Sequence, residues 1–543
     1  LGVIDRRFER RPGGGVGQGG TLRSGQWFRG DAAFFGGLEW SATDRLSFKI
    51  EYSSDAYNRE IRRGNLFTRA SPFNFGASYR IRPGIELGAH YLYGAEFGAR
   101  LTFTFNPKTP PSPSAVTTAP VPVQPRAAVA RTDLGWGIEQ DAEAVARARI
   151  QELFEADGGL TLEAVSLTAT EAEVRFRNTR YSASAQAIGR VARILTNTLP
   201  ASVERFRIVP VRQGMPLSAV TLRRSDLEDL EHAPDGSWQS YARAEISDAV
   251  PAPGRVSYAP GLYPDFSWGL SPYLVDSLFD PDNPVRGDVG VQLSGRFALR
   301  PGTIVKGRVR QKLFGNLDQI TRASNSVLPR VRTETYLYQR NDGPTIPELT
   351  VNQYFRPAEN LYGRVTVGYL ESLYGGVSTE LLWKPVDSRV AFGAELNWVK
   401  QREFDQLFDF RSYDVLTGHV SGYWDMGNGF YGQVDVGRYL AGDWGATFTL
   451  DREFRNGWRI GAFATFTDVP FSQFGEGSFD KGIRLEIPLS TVTNRETTRN
   501  LYRTIRPIVR DGGARVGVSG RLYETVRDYQ DPILGEQWGL FWE

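Results

Sequence analysis

The chain of 543 residues contains no cysteine. That removes disulfide frameworks, thiolate-held zinc, iron–sulfur clusters and thiol nucleophiles in one step. There are only three histidines, His90, His232 and His419, which is little material for a His-rich metal site or a serine–histidine relay. Lysine is scarce too: seven residues among 64 basic ones, the rest being arginine. Arginine stays charged and makes planar, bidentate contacts. The skew reads first as the mark of a GC-rich genome and only second as a recognition device. Apolar runs are a handful of residues long, far below the roughly 18–20 that a membrane helix needs, so a helical membrane protein is excluded. The net charge of +2 creates no global field to recruit nucleic acid or anionic lipid. The first residue is Leu and no signal-peptide pattern precedes it, so the chain is read as mature or truncated at its start.

What is present is glycine (58 residues), aromatics (32 Phe, 23 Tyr, 12 Trp) and alternation. The mean hydropathy of -0.35 suggests a soluble protein. A mean, however, is blind to a pattern in which every second residue is apolar.

Four zones appear. Residues 1–106 open with a Gly/Arg-rich loop, including the run Gly13 to Gly20, which lacks the Gly-Lys-Ser/Thr ending of a phosphate-binding loop. They continue as about five strands: Leu46, Phe48, Ile50 and Tyr52 alternate with Ser47, Lys49 and Glu51. Residues 107–130 carry seven prolines and read as an extended linker. Residues 131–250 change period. Ala142, Ala146, Ile150, Leu153 and Phe154 form one helical stripe, and Ile188, Val191, Ala192, Leu195 and Leu199 another. Strand-like runs at 160–168, 171–177, 203–211 and 215–223 complete a small α/β domain, with Ser225 and Asp226 as candidate caps of a last short helix.

Residues 251–543 return to alternation. Val390, Phe392, Ala394, Leu396 and Trp398 oppose Ala391, Gly393, Glu395 and Asn397. About 14 such segments occur, most of 9–13 residues. That exceeds the five or six usual in soluble sheets and matches the 9–11 of a tilted strand crossing a bilayer. Aromatics near segment ends (Tyr362, Trp383, Trp398, Tyr423, Trp424, Tyr439, Trp444) have the placement of interfacial girdles. The fold class expected is therefore mainly β: transmembrane antiparallel β-barrels with an inserted small, water-soluble α/β domain, which the resemblance given below implies is periplasmic. A propeller or sandwich also alternates, but no repeat of roughly 40–50 residues is found. Five strands in 1–106 cannot close a barrel alone. Either they join the later sheet, or they are the end of another barrel.

If the apolar face meets lipid, the opposite face lines a lumen. It carries Arg296, Arg364, Glu395, Asn397, Gln433, Asp435, Arg459, Arg484 and Glu486. These side chains could contact a hydrated polymer, or could pair with one another to solvate the interior. Glu476, Asp480 and Lys481, between two strand runs, form a candidate gating or polymer-contact loop, with structure the simpler account. Asp280, Asp282, Asn283 and Asp288 lack the 12-residue spacing and terminal Glu of a calcium loop.

At Gly437-Arg-Tyr-Leu-Ala-Gly-Asp-Trp-Gly445, Arg452-Glu-Phe-Arg-Asn-Gly-Trp-Arg459, Gly461 to Pro470 and Phe474 to Gly482 the chain resembles the YjbH/GfcD-like family of Gram-negative envelope proteins. Gly37 to Trp40, Asp44 to Tyr57, Val174 to Tyr181 and Val203 to Ile208 extend the resemblance over nearly the whole chain. The resemblance implies an outer-membrane protein with two barrel regions joined by a periplasmic unit, 1–106 being the latter part of the first. It implies a part in exopolysaccharide or capsule export, with a small lipoprotein and soluble periplasmic proteins as partners, and supplies no catalytic residues. The expectation is a non-enzymatic protein of the cell outer membrane, touching lipid and exopolysaccharide but not nucleic acid, without cofactor or metal. Two other readings stand beside it: an anchor or assembly module that does not itself conduct polymer, favoured if the lumen is filled by the chain's own segments, and a polysaccharide-modifying enzyme, which needs two converging carboxylates.

Overall fold

The computed structural model describes residues 5–8, 27–30, 33–56, 68–104, 119–138, 141–250, 257–278, 283, 285–320, 326–470, 473–474, 479–493, 496–506 and 508–543. The run Gly13 to Gly20, most of the proline-rich stretch, Asp280, Asp282 and Glu476 lie outside them. The chain divides into two compact units, 1–115 and 116–543.

The first unit is an antiparallel meander of β1 (Gly36–Ser41), β2 (Leu46–Tyr52), β3 (Phe73–Arg82), β4 (Ile85–Leu92) and β5 (Glu96–Phe103) in sequence order. Register places Leu38, Ile50, Phe75, Tyr91 and Phe97 in one row across the sheet. All but Tyr91 are exposed, while Asn74 and Ser78 on the other side are buried. These strands form a sheet of their own, and among the described residues no ladder joins them to the later one.

The second unit begins with chain that the proline content suggested was a linker. Its described end is instead packed down: Val123 is buried, its N–H donates to Glu231 at 3.1 Å, and Arg126 pairs with Glu228 and Glu204, each at 2.7 Å. The α/β part follows in the expected order: α1 (Ala142–Asp157), β6 (Leu160–Leu167), β7 (Glu171–Asn178), α2 (Ser184–Thr198), β8 (Arg205–Arg212), β9 (Met215–Pro216), β10 (Ser218–Arg223), α3 (Arg224–Leu230), α4 (Gly236–Arg243), β11 (Glu245–Asp248) and β12 (Ser257–Tyr258). The sheet order is β11-β10-β8-β7-β6-β12, with β9 paired to β8. Helix α2 is the crossover between the parallel pair β7 and β8, the other pairs being antiparallel. The stripes meet as their spacing requires: Ile150, Phe154, Ile188, Val191 and Leu195 are enclosed with Val174, Phe176 and Ile208 of the sheet. Ser225 lies inside the first turn of α3 rather than capping it, and its hydroxyl donates to Glu204 at 2.5 Å.

Thirteen antiparallel strands in sequence order make the largest sheet: β13 (Asp265–Leu278), β14 (Val285–Arg300), β15 (Thr303–Gly315), β16 (Thr345–Ala358), β17 (Leu361–Tyr369), β18 (Tyr374–Trp383), β19 (Val390–Arg402), β20 (Phe410–Gly427), β21 (Phe430–Arg438), β22 (Trp444–Glu453), β23 (Arg459–Thr467), β24 (Asp480–Pro488) and β25 (Asn500–Ile505). The sheet curls into a nearly closed barrel. An odd number of consecutive antiparallel strands leaves the first and last running the same way. Among the described residues no ladder joins β13 to β25; Arg503 bridges them, donating to the Leu274 carbonyl and pairing with Asp276, both at 3.3 Å. Pro272, which has no N–H to donate, sits on this edge strand, where a missing donor costs no ladder bond.

The polarity of the barrel is inverted. Along β19, Phe392, Leu396 and Trp398 are exposed while Glu395, Asn397 and Val399 are buried. Leu381 and Trp383, Val420 and Trp424, Val434 and Val436, and Phe448 and Leu450 repeat the pattern on neighbouring strands. Of the aromatics expected at girdles, Trp383, Trp398, Trp424 and Trp444 face outward, but Tyr362, Tyr423 and Tyr439 are buried inside. Their phenol oxygens explain the difference. Tyr439, for example, shares a hydrogen bond of 2.7 Å with Thr447 on the inner wall.

Candidate functional site

The sheet ends at Ile505, and the remaining chain does not extend it. It enters the barrel and runs its length. One end of the barrel carries tight turns, such as Arg300 to Thr303 and Ala358 to Leu361; the other carries longer loops, including residues 316–344. The tail starts at the long-loop end. Asp511, almost fully enclosed, accepts from the backbone N–H groups of Arg332 and Thr333 at 2.8 and 2.9 Å and from the Thr333 hydroxyl at 2.7 Å. Helix α5 (Thr335–Tyr338) holds that loop folded inward, the Tyr338 hydroxyl donating to the Arg402 carbonyl at 2.8 Å. The Leu440 N–H donates to the Ala514 carbonyl, and Asp443 accepts from the Gly513 N–H at 2.8 Å. Ala514, Val516 and Val518 of the tail pack with Val331, Tyr338, Tyr374, Val399 and Leu440 into an apolar cluster inside the barrel.

This places the stretch 437–445. It forms the turn between β21 and β22, folded in to grip the start of the tail. Gly442 takes φ +87°, a left-handed conformation that favours glycine. Phe474 lies on Gly512, where a Cβ would overlap its ring.

Farther along, the tail carries charges of both signs that match the wall. Arg515 pairs with Asp435 at 2.8 Å, and Arg521 with Glu395 at 2.7 Å. The N–H of Leu522, at the start of α6 (Leu522–Val526), donates to Glu380 at 3.0 Å. Glu524 pairs with Arg459 at 2.9 Å, and Arg527 with Glu453. Tyr523 stacks on wall residue Tyr423 with ring centres 4.0 Å apart. Leu522, Tyr523 and Val526 complete a second internal apolar cluster with Tyr354, Tyr362, Leu382 and Ala391.

The tail leaves at the tight-turn end, where α7 (Asp531–Gln537) begins with its N–H on the Val386 carbonyl. There it becomes part of the α/β core. Leu534, Trp538 and Phe541 are enclosed with Ile188, Val191 and Leu227. The Trp538 indole donates to Ser240 at 3.0 Å, and Tyr241 donates to Asp531 at 2.8 Å. Gly189 of α2 has the chain end so close that a Cβ would collide with the Phe541 carbonyl. The α/β sheet meets the same barrel end: Arg356 of β16 pairs with buried Asp248 of β11 and donates to the Leu217 carbonyl at 3.1 Å.

The residues singled out from sequence are placed as follows. Arg364 is fully enclosed, pairing with Glu380 at 2.9 Å and donating to Thr366 and Ser378. Glu395 is the hub of the ladder, met by Arg521, Arg515 and Asn397. Gln433 donates to Asp435. Arg459 and Glu486 pair with each other, and Glu486 also accepts from Asn500 at 2.6 Å. Arg484 faces Asp451 at 3.7 Å, and Arg296 faces Asp265 at 3.5 Å near the α/β end. Asp480 is buried at the start of β24 with Arg506 at 3.7 Å, and Lys481 lies 4.0 Å from the Phe479 ring centre. These residues gather inside one lumen, Lys481 apart. Their tail partners Arg515, Arg521, Glu524 and Arg527 escaped the sequence reading, because alternation is the wrong signal for a segment that is not a strand. A cavity of about 540 Å³ lies on the outward apolar face instead, among Phe266, Trp268, Leu293, Val309 and Leu349.

Fold and lumen together define a class: a nearly closed β-barrel, apolar outside, filled by its own C-terminal tail and tied through it to an α/β unit. The chain belongs to the YjbH family, described as "Exopolysaccharide biosynthesis protein YbjH", which matches residues 1–528. It is 30% identical over 526 residues to the "Uncharacterized lipoprotein YjbH" of Escherichia coli (strain K12), covering 94% of this chain and 72% of that protein.

Proposed function

We propose that this is a non-enzymatic outer-membrane β-barrel protein of exopolysaccharide or capsule production, acting as an anchor and assembly module while polymer passes elsewhere. The filled lumen carries the anchor reading. Asp435, Glu395, Arg459 and Glu453 of the wall are engaged by the tail, and apolar clusters occupy both ends of the path. The exposed apolar face supports membrane residence, since side chains such as Trp398 and Leu396 have no protein partner that covers them. Outer-membrane barrels keep short turns on the periplasmic side, which supports a periplasmic α/β part, with a lipoprotein or soluble proteins as its proposed partners. The exposed apolar row of the five-stranded sheet supports its being part of a further barrel. The family description supplies the link to exopolysaccharide.

The test uses the absence of native cysteine. Tyr423→Cys and Tyr523→Cys, at the stacked pair, are joined by a short bifunctional thiol reagent, fixing the tail in the lumen. The anchor reading expects polymer production to continue with the tail locked. Production that stops on locking, with the protein still in the outer-membrane fraction, overturns it in favour of a conduit.

A further inference from the structure

We infer that the C-terminal tail is a coupling strap: the α/β unit controls whether the barrel lumen is filled, because one segment completes both. The observation is a shared element with two kinds of grip. In the lumen the grip is ionic and aromatic, through Arg521 on Glu395, Glu524 on Arg459 and Tyr523 on Tyr423. In the α/β unit it is apolar, through Trp538 and Phe541 beneath α2 and α4. Between the grips runs only the short stretch from Tyr529 to α7, and it too is tied to both sides. The Tyr529 carbonyl accepts from Ser218 of β10, the Tyr529 hydroxyl accepts from Asn178 of β7 at 3.1 Å, and Gln530 donates to Tyr362 of the barrel at 3.4 Å. There is no slack to absorb a shift at one end.

The coupling therefore acts in both directions. A partner that displaces Trp538 and Phe541 from the α/β core withdraws the largest apolar side chains by which the strap is held outside the barrel, and the lumen segment then holds mainly by its ion pairs and internal clusters. By linkage, loosening the lumen grip weakens the α/β core by the same coupling free energy. The coupling depends on packing, not on the route of the polymer.

The test is a cysteine in place of Ala391, a small enclosed wall residue that packs with Leu522 and Tyr523. The full chain is purified in detergent and treated with a charged, water-soluble maleimide. With the strap native, labelling at Ala391→Cys is slow. Adding Trp538→Ala, far along the tail in the α/β core, is expected to raise the labelling rate at least tenfold. Heat-dependent gel migration of the same sample shows that the barrel is folded. If Trp538→Ala does not fold, Phe541→Leu asks the same question more gently, with a smaller rise expected. A rate unchanged by either variant, in protein whose α/β part has become protease-sensitive, overturns the strap. Its failure leaves the anchor reading intact, since that reading is tested by polymer production with the tail locked.

Discussion

The α/β part and the barrel use the same apolar residues in opposite directions. In the first, Val174, Ile188 and Val191 are enclosed, and the charged groups buried there, such as Glu173 and Arg190, are ion-paired with Arg175 and Asp157. In the second, Leu396, Trp398 and Val420 are exposed, while Glu395, Asn397 and His419 are enclosed. Burial of apolar surface from water drives the first arrangement. The second would be favoured where the surroundings of the barrel are themselves apolar, the setting proposed above. The tail crosses from one regime to the other and changes composition as it does. It presents Arg515, Arg521, Glu524 and Arg527 to the polar lumen, then Leu534, Trp538 and Phe541 to the apolar core. One segment of about 35 residues thus reads as two, matched to two opposite interiors.

The comparison can be broken at its joint. Deleting residues 509–543 removes three enclosed core residues from the α/β part but no strand from the barrel. Limited proteolysis is expected to cut the α/β part freely while heat-dependent migration of the barrel persists. Loss of both together would mean that the barrel cannot stand without its filling. A milder break is Trp538→Ala, expected to cost ~3–5 kcal/mol in the α/β part through lost burial and the cavity left behind, measured by denaturant titration of the full chain.

The inversion itself is sharpened by paired substitutions on one strand. Leu396→Arg puts charge on the outward face and is expected to cost ~2–4 kcal/mol in a bilayer if it lies near the midplane, with little effect in solution terms. Its neighbour Glu395→Leu takes from Arg521 its carboxylate partner while Arg515 keeps Asp435, and is expected to cost ~3–5 kcal/mol wherever the barrel is placed. Equal costs for Leu396→Arg in lipid and in a water-soluble setting would contradict an apolar surrounding.

The smallest effects belong to partly exposed charges. Arg503→Ala at the β13–β25 seam is expected to cost only ~0.5–1 kcal/mol. In the α/β part, burial acts to raise the Glu204 carboxyl, but hydrogen bonds from Ser225 and Arg126 overcome it and hold the carboxyl below its ordinary range. A depressed carboxyl contributes stability that is present at neutral pH. It is lost as pH falls through about 4.3 and on toward the folded value. Glu204→Gln is expected to flatten that acid limb in a pH series of unfolding midpoints.

Much of this was legible in the sequence, for a physical reason: both periods are local. Residues 390–398 state their two faces without help, and the α1 and α2 stripes state theirs. The order helix, strand, strand, helix, strand, strand follows from those periods alone. About 14 strand segments are expected after residue 251; among the described residues 13 form the barrel sheet, and β12 joins the α/β sheet instead. The candidate lumen residues were legible as a face, yet not their partners. Arg521 reaches Glu395 across 126 positions, and no short-range pattern announces such a pair. Three features at 505–543 did signal a change: alternation ends at Ile505, Gly512-Gly513 follows, and charges recur at irregular intervals. The proline-rich stretch misled in the other direction. Proline predicts extended chain, and extended chain can still be pinned, as Arg126 is by Glu204 and Glu228.

The central claim is that the barrel lumen is filled by the chain's own tail. Ion conductance of the full chain in a planar bilayer tests it most directly. With Arg521 on Glu395, Tyr523 on Tyr423 and Val516 in the upper cluster, no steady conductance above that of the bare bilayer is predicted. A stable, open current from the full-length chain with its tail intact would contradict the account.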